Sequence, residues 1–451
     1  MKKVNSETKI RIYLLIILFF SALYYLLCMV VKNDFFQATA FYDVRDTFMD
    51  WFNCVAGYGG NPYAGEVGSN YPALAVLIFK LFRLGIPEKV LDEGVGTLVR
   101  YQNAWIIFMV YNGILIWIFS VSVDHKLKLK NWDKMLFFAV CLFSFPVLFA
   151  FERGNIINLA FVLTMFFYSF YQDENKVLRE LAFMALAIAA GIKIYPAIFG
   201  FLLLKRRRIW ECVRLSIYGI LSFVAPFFWF GGLRAIKSFL NGILGFSLDR
   251  STVTSETMDA IASFDGTASS VTIMPSSYGY NFSLFNICKV IREMLGVNLQ
   301  EKMFSVGLIL ISIMLFVTAL IIKEEWKELL CYTLMMILIP SFSGAYVMLF
   351  MFISFIAYLN HEMEDENQTD KKRLNSVYAL TMLLLITPWA LPNVSFFSTD
   401  IQPGPLTGSY LLYFLCVLVI TLLMIYEGLK CLIDKYRKAE RTEKVTVEKK
   451  I

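Results

Sequence analysis

Uncharged apolar runs close to the length of a bilayer crossing recur along most of this chain, and they set its class before any single residue is considered. The first, Ile12 to Val31, contains no charged residue, and ~20 apolar residues are what a helix needs to span the ~30 Å hydrocarbon core. Only 17% of the 451 residues are charged, against roughly a quarter in soluble domains. In lipid every backbone N–H and C=O must find a partner inside the protein, so such runs predict an all-α polytopic membrane protein. Lys2, Lys3, Lys9 and Arg11 precede the first run. That run is too long for a signal-peptide core and lacks a small-residue cleavage site, so it reads as a retained helix.

The net charge is +6, and its distribution sets the topology. Basic residues gather at Lys126 to Lys134, at Lys205 to Arg208, at Lys371 to Arg373 and in the tail 431–451. The positive-inside rule puts these segments, and both termini, in the cytoplasm. Residues 32–70 and 232–302 then form two long outer loops of a single membrane domain spanning 1–451. Helices are expected at about 101–123, 135–151, 156–171, 209–231, 303–322, 375–392 and 409–430, with a short apolar piece at Tyr71 to Leu84. Two longer stretches must be split to keep the basic loops inside. Leu181 to Leu204 breaks near Lys193-Ile194-Tyr195-Pro196, and Leu329 to Leu359 breaks at Pro340 to Gly344, because proline removes a backbone donor. The expected total is about 12 crossings, some of them broken half-helices. Irregular backbone at membrane depth is tolerated where it is buried in protein or lines a wet cavity. The cysteines show no metal-ligand spacing, and both histidines, His125 and His361, fall in cytoplasmic loops, so no metal site and no cofactor are expected. Cys54 and Cys288 both lie in outer loops, which leaves a disulfide open.

The first outer loop carries the main candidates for chemistry. Asp43, Asp46, Asp50 and Asn53 recur at helical spacing, with Phe48, Trp51, Phe52 and Val55 mainly opposite, which predicts an amphipathic helix on the membrane surface. A solvated acidic face is one reading of this pattern; a carboxylate kept as a base at the mouth of a helical bundle is the other. Downstream come Gly59-Gly60-Asn61-Pro62-Tyr63 and Asn70-Tyr71-Pro72.

These motifs resemble the GT-C superfamily of polyprenyl-phosphate-sugar-dependent glycosyltransferases, in particular the bacterial family that includes the mycobacterial phosphatidylinositol mannoside mannosyltransferases. That family shows an Asp, an aromatic-rich helix, a Gly-Gly-Asp/Asn-Pro-Tyr turn and a Tyr-Pro-Pro. Counting back from Asn61-Pro62-Tyr63, the resemblance puts its Asp on Asp46, with Asp43 and Asp50 as alternates. Arg153-Gly154-Asn155-Ile156-Ile157-Asn158 is similar to an Arg-Gly-Gln/Asn-x-x-Asn segment, Lys193 to Pro196 to a Lys-x-x-Pro hairpin, and Asn281-Phe282-Ser283-Leu284 to Asn-Gln-Ser-Leu. The resemblance covers about residues 10–360. It departs in two places: Ala73 replaces a second proline, and Ala345 stands where the family often has histidine. It implies a GT-C-like fold and single-displacement, inverting transfer of a hexose, mannose-like, from a polyprenyl-phosphate donor to a cell-envelope acceptor at the outer face of the cell membrane.

The chemistry asks for a base at the acceptor hydroxyl and positive charge at the leaving phosphate. Asp46 is the expected base. Lys193, Tyr195, Arg153, Asn155, Tyr280 and Asn281 are the expected donor phosphate and sugar ligands. Other readings of these residues stand beside this one: Lys193 snorkelling to an interface, Arg153 paired with Glu152, and Tyr280 as an interfacial anchor. Lipid-linked donor, lipid or glycan acceptor and membrane are the expected partners, without nucleic acid. A secondary transporter shares broken helices and a midplane lysine, but related halves are not found. A polysaccharide polymerase or ligase shares the large outer loop, but residues 232–302 contain no histidine.

Overall fold

Proline and glycine punctuate the apolar runs, and the computed structural model breaks its helices at those marks. It describes residues 5–30, 47–247, 281–284, 286, 301–340, 343–364, 372–389 and 408–448. Asp43, Asp46, Tyr280 and Cys288 lie outside the described residues. Among the described residues all regular structure is helical, and the one β contact is an isolated antiparallel bridge between Asn281 and Gly344. The chain divides into two units. One comprises Thr39–Lys128 and Pro146–Ser277; the other comprises Met1–Ala38, Leu129–Phe145 and Tyr278–Ile451.

The helices in chain order are α1 (Ser6–Val30), α2 (Met49–Gly57), α3 (Ala73–Arg83), α4 (Glu88–Asp92), α5 (Val95–Arg100), α6 (Gln102–Lys126), α7 (Asn131–Leu142), α8 (Phe145–Arg153), α9 (Ile157–Phe170) and α10 (Lys176–Ile192). They continue with α11 (Phe201–Lys205), α12 (Ile209–Val224), α13 (Leu233–Ser247), α14 (Glu301–Ile321), α15 (Glu325–Leu338), α16 (Met351–Glu364), α17 (Lys372–Ile386) and α18 (Gly408–Glu448). Short 3₁₀ turns at Tyr195–Gly200, Ala225–Phe230 and Ala345–Phe350 precede α11, α13 and α16.

In the first unit α10 is the central helix, packed between α9 and α12. The contact is close because Gly191 lacks a side chain: a Cβ there would stand 2.8 Å from the Ser222 carbonyl oxygen of α12. Small residues let helix backbones approach in membranes, where packing replaces the hydrophobic effect as the driving force. α9 is buried along nearly its whole length, whereas α6 exposes Ile106, Met109, Val110, Ile114 and Trp117, as a lipid-facing helix should. In the second unit α15 and α16 form the buried centre, and α14, α17 and α18 pack around it. Ion pairs join elements of this unit. Arg11 donates to both oxygens of Asp133 at 2.7 and 3.0 Å, and Lys327 pairs with Glu427.

Among the described residues five helices are long and apolar enough to cross a membrane: Ser6–Leu27, Gln102–Lys126, Ile209–Phe230, Ala345–Glu364 and Tyr410–Arg437. Asn131–Leu142 with Phe145–Arg153 makes a sixth if the broken pair is one span. This is a multi-pass membrane protein, but the expected count of about 12 crossings is not reached among the described residues. Several apolar segments form pieces shorter than a crossing. The 14 residues of α9 reach only about 21 Å, short of the ~30 Å core. The single helix expected at 135–151 is two, because Pro146 can start a helix but cannot continue one. The breaks expected at Lys193 to Pro196 and at Pro340 to Gly344 are present: α10 ends at Ile192 and α15 at Leu338, and a 3₁₀ turn follows each break.

Candidate active site

α2 has the expected polarity, and its apolar face is covered by other parts of the chain. Trp51, Phe52 and Val55 are buried. Trp51 lies against Phe82 and Phe108, Phe52 against Trp105, and Phe48 against Trp105, Phe108 and Phe151, all with ring centroids 5.0–5.6 Å apart. The helix therefore rests on an aromatic bed of its own unit. The edge-to-face pairs among them, Phe48 with Trp105 and Phe151 and Trp51 with Phe108, add to plain area burial. At the far end of α2, Arg83 of α3 donates to the Val55 and Ala56 carbonyls at 2.6 and 2.7 Å, satisfying C-terminal carbonyls that have no partner within the helix.

The N-terminal end of α2 is latched to the turn 152–155. The Phe48 amide donates to the Glu152 carbonyl at 2.5 Å. Gly154 sits at φ 63° directly under it, so a Cβ would stand 3.0 Å from the Phe48 carbonyl oxygen and 3.2 Å from Trp51 Cβ. Glycine is needed there twice over, for the left-handed backbone and for the close approach. The latch brings Asp50 onto Arg153 and Asn155. Arg153 Nη2 donates to Asp50 Oδ1 at 2.6 Å and its Nε to Oδ2 at 3.4 Å, while Asn155 Nδ2 donates to Oδ2 at 2.8 Å. Arg153, whose sequence neighbour Glu152 was the alternative partner, thus reaches an acid 103 residues away.

Tyr71 joins the cluster from the other side. Asn155 Nδ2 also reaches its hydroxyl, at 3.3 Å, and the Lys193 ammonium stands 4.2 Å from its ring centroid. The Gly-Gly-Asn-Pro-Tyr turn holds Tyr71 in place. Asn61 Oδ1 accepts from the Tyr63 amide at 3.0 Å, Tyr63 Oη donates to the Tyr71 carbonyl at 2.5 Å, and the Tyr71 amide donates to Ser69 Oγ at 3.1 Å. Lys193 arrives here because α10 stops one residue earlier: its backbone is extended, at φ −141° and ψ 126°, and its amide still donates to the Ala189 carbonyl.

Among the described residues, Arg153 and Lys193 thus both act on Asp50. Burial pushes the Asp50 carboxyl up to about 6; the Asn155 hydrogen bond and the positive charge of Lys193 pull the other way. The contacting Arg153 guanidinium also favours the ionised form. About a fifth of the Asp50 side chain, 19%, and 24% of that of Arg153 remain exposed, so the pair is screened from water without being sealed from it. Such a group of charges suits an anionic ligand next to a titratable carboxylate.

Of the expected site residues, the structure gathers Asp50, Arg153, Asn155 and Lys193 within one unit. Tyr195 opens the 3₁₀ turn two residues after Lys193 and is half-buried. Asn281 belongs to the other unit, where its Oδ1 accepts the Ser283 and Ser343 amides at 3.1 and 2.9 Å. Asp43, Asp46 and Tyr280 lie outside the described residues. Tyr71 was visible in the sequence only as part of Asn-Tyr-Pro, with no role attached.

Four of the five cluster residues fall inside one similarity to known proteins. Residues 70–266 match the model of glycosyltransferase family 87. The match spans less than half of the chain and supports a glycosyltransferase family. It includes Tyr71, Arg153, Asn155 and Lys193; Asp50 precedes it and is tied to it by geometry. No curated protein and no solved structure matches the chain.

Proposed function

We propose that the protein is a membrane glycosyltransferase of GT-C-like architecture. It moves a hexose, mannose-like, from a polyprenyl-phosphate donor to a hydroxyl of a cell-envelope acceptor at the outer face of the cell membrane. The observation that supports this reading is the meeting of Asp50, Tyr71, Arg153, Asn155 and Lys193, drawn from four separate segments, inside one helical unit. In the reaction the acceptor oxygen forms a bond to the anomeric carbon as the bond from that carbon to the phosphate oxygen breaks. The phosphate leaves with the electron pair and the hydroxyl proton passes to a carboxylate.

Lys193 and Arg153 are the cations for the phosphate, whose charge grows as the bond breaks. Preorganised charge at that point is worth most in a site shielded from water. Asp50 is already committed to Arg153 and Asn155, so it orients Arg153. Asp46, four residues earlier in the sequence, is the proposed general base. The resemblance implies inversion at the anomeric carbon. Both termini and the basic loops are proposed to face the cytoplasm, with 32–70 and 232–302 outside.

The test is hexosyl transfer from a polyprenyl-phosphate hexose in proteoliposomes. Asp46→Asn keeps size and removes the proton acceptor, so turnover should fall ~10²–10⁴-fold. Near-parental turnover in Asp46→Asn with collapse in Asp50→Asn would move the base to Asp50. Uptake of a solute by the parent protein without covalent transfer would favour a transporter instead.

A further inference from the structure

Asn155 has a side chain whose every polar group is already used by the protein. It is 3% exposed. Its Oδ1 accepts the Ile157 amide at 3.0 Å at the start of α9, which fixes the orientation of the side-chain amide. A primary amide carries two N–H donors. Nδ2 directs them to two acceptors, Asp50 Oδ2 at 2.8 Å and Tyr71 Oη at 3.3 Å. Each acceptor side chain in turn holds a cation: Asp50 grips Arg153 through two nitrogens, and the Tyr71 ring carries the Lys193 ammonium.

We propose that Asn155 is a positioning residue that locks Arg153 and Lys193 into one rigid pair of cations, acting through Asp50 and Tyr71, and is not itself a ligand of the donor. This rests on reading the cluster as the donor-phosphate site, and it revises the sequence expectation that Asn155 binds donor directly. A rigid pair matters because a phosphate gains most from charges that need no rearrangement as it departs. Charges left to swing would be repositioned at each turnover.

The competing explanation is that Asn155 only caps α9. Binding of undecaprenyl phosphate to the full-length protein, in nanodiscs of uncharged phosphatidylcholine, separates the two. Asn155→Asp keeps an oxygen for the Ile157 amide but loses both N–H donors and places a second carboxylate beside Asp50. Both Asn155→Ala and Asn155→Asp should weaken binding by about tenfold, the scale of a lost hydrogen bond to a charged group. In an Asp50→Asn background, Asn155→Ala should cost less than in the parent, because only the arm through Tyr71 to Lys193 remains. Parental affinity in Asn155→Asp would reduce the residue to a helix cap and overturn the proposal. An equally large loss from Asn155→Ala in both backgrounds would make it a direct ligand, which also overturns it. If the parent itself fails to bind undecaprenyl phosphate, the donor assignment falls and the inference falls with it. Binding by the parent with either of the two contrary results overturns the inference alone.

Discussion

The two helix breaks, each within its own unit, begin from the same sequence signal, a proline inside an apolar run, and end differently. At the first, α10 stops at Ile192, the Lys193 amide stays bonded to Ala189, and the lysine side chain is carried to the Tyr71 ring. At the second, the freed backbone borrows partners from residues 281–283. The Phe282 amide donates to the Ser343 carbonyl at 2.7 Å, and Asn281 Oδ1 accepts the Ser343 amide at 2.9 Å. Phe282 then packs on Tyr410 and Phe414. Ala345, at the position where the resemblance would give a histidine, is fully buried at the start of the 3₁₀ turn. A break in an apolar helix creates unsatisfied backbone groups that need partners. One break meets that need within its own helix end and places a cation beside an acid cluster; the other meets it by stitching in a second segment, with Asn281 consumed as the stitch.

If this contrast is right, the first break should carry the function. Lys193→Met should reduce transfer ~10²–10³-fold, the scale for removing one preorganised group that stabilises developing charge. Protein yield and monodispersity should match the parent, because the ring contact of Lys193 is not needed for the packing of α10 on α9 and α12. A proteoliposome transfer assay beside size-exclusion profiles reads both quantities. Parental turnover would erase the difference between the two breaks.

The second break should carry stability. Asn281→Ala leaves the Ser283 and Ser343 amides without their acceptor in a buried site, a loss of about 1–3 kcal/mol for each buried donor left unsatisfied. Thermal unfolding in detergent should shift downward while affinity for undecaprenyl phosphate stays at the parental value. A change in affinity without a change in unfolding would restore Asn281 to the sugar-binding role that its sequence context suggested.

How far the sequence foretold these outcomes depended on how local the cause was. Both breaks were legible because proline and the positive-inside rule act over a few residues, and so was the two-faced pattern of α2, though not the aromatic bed that buries Trp51, Phe52 and Val55. The extension of α18 to Glu448 was not, because a sequence shows where an apolar run ends and not where its helix does. The pairing of Arg153 with Asp50 was also hidden. Glu152 is its neighbour in sequence, but the left-handed turn at Gly154 and the latch to Phe48 give it Asp50, 103 residues away. Pairings at that separation are set by packing, and a single sequence records packing only indirectly.

Gly154→Ala tests that latch. A Cβ at φ 63° costs roughly 1–2 kcal/mol in backbone strain alone, and the 3.0 Å approach to the Phe48 carbonyl oxygen adds to it. The expected result is a modest loss of thermal stability together with weaker binding of undecaprenyl phosphate, because Asp50 and Arg153 would be displaced together. Loss of stability with donor binding untouched would separate the latch from the site.

The smallest effect concerns pH. Burial raises Asp50 to about 6, above the ordinary carboxylate range, so it is ionised above that value and neutral below it. A polyprenyl-phosphate sugar is a phosphodiester and keeps its single charge across this range. Acidification therefore acts on the protein side: as pH falls from 7 to 5, Asp50 gains a proton and Arg153 loses its ionised partner. Affinity for a non-transferable polyprenyl-phosphate hexose analogue should then fall by a few-fold, about the strength of one partly exposed ion pair. Asp50→Asn should bind more weakly at pH 7 and give a flat profile, since its side chain no longer titrates. Measuring binding rather than turnover keeps the proposed base, Asp46, out of the result. An acid limb that persists in Asp50→Asn would belong to another group, and the ion pair with Arg153 would then not govern the hold on the donor.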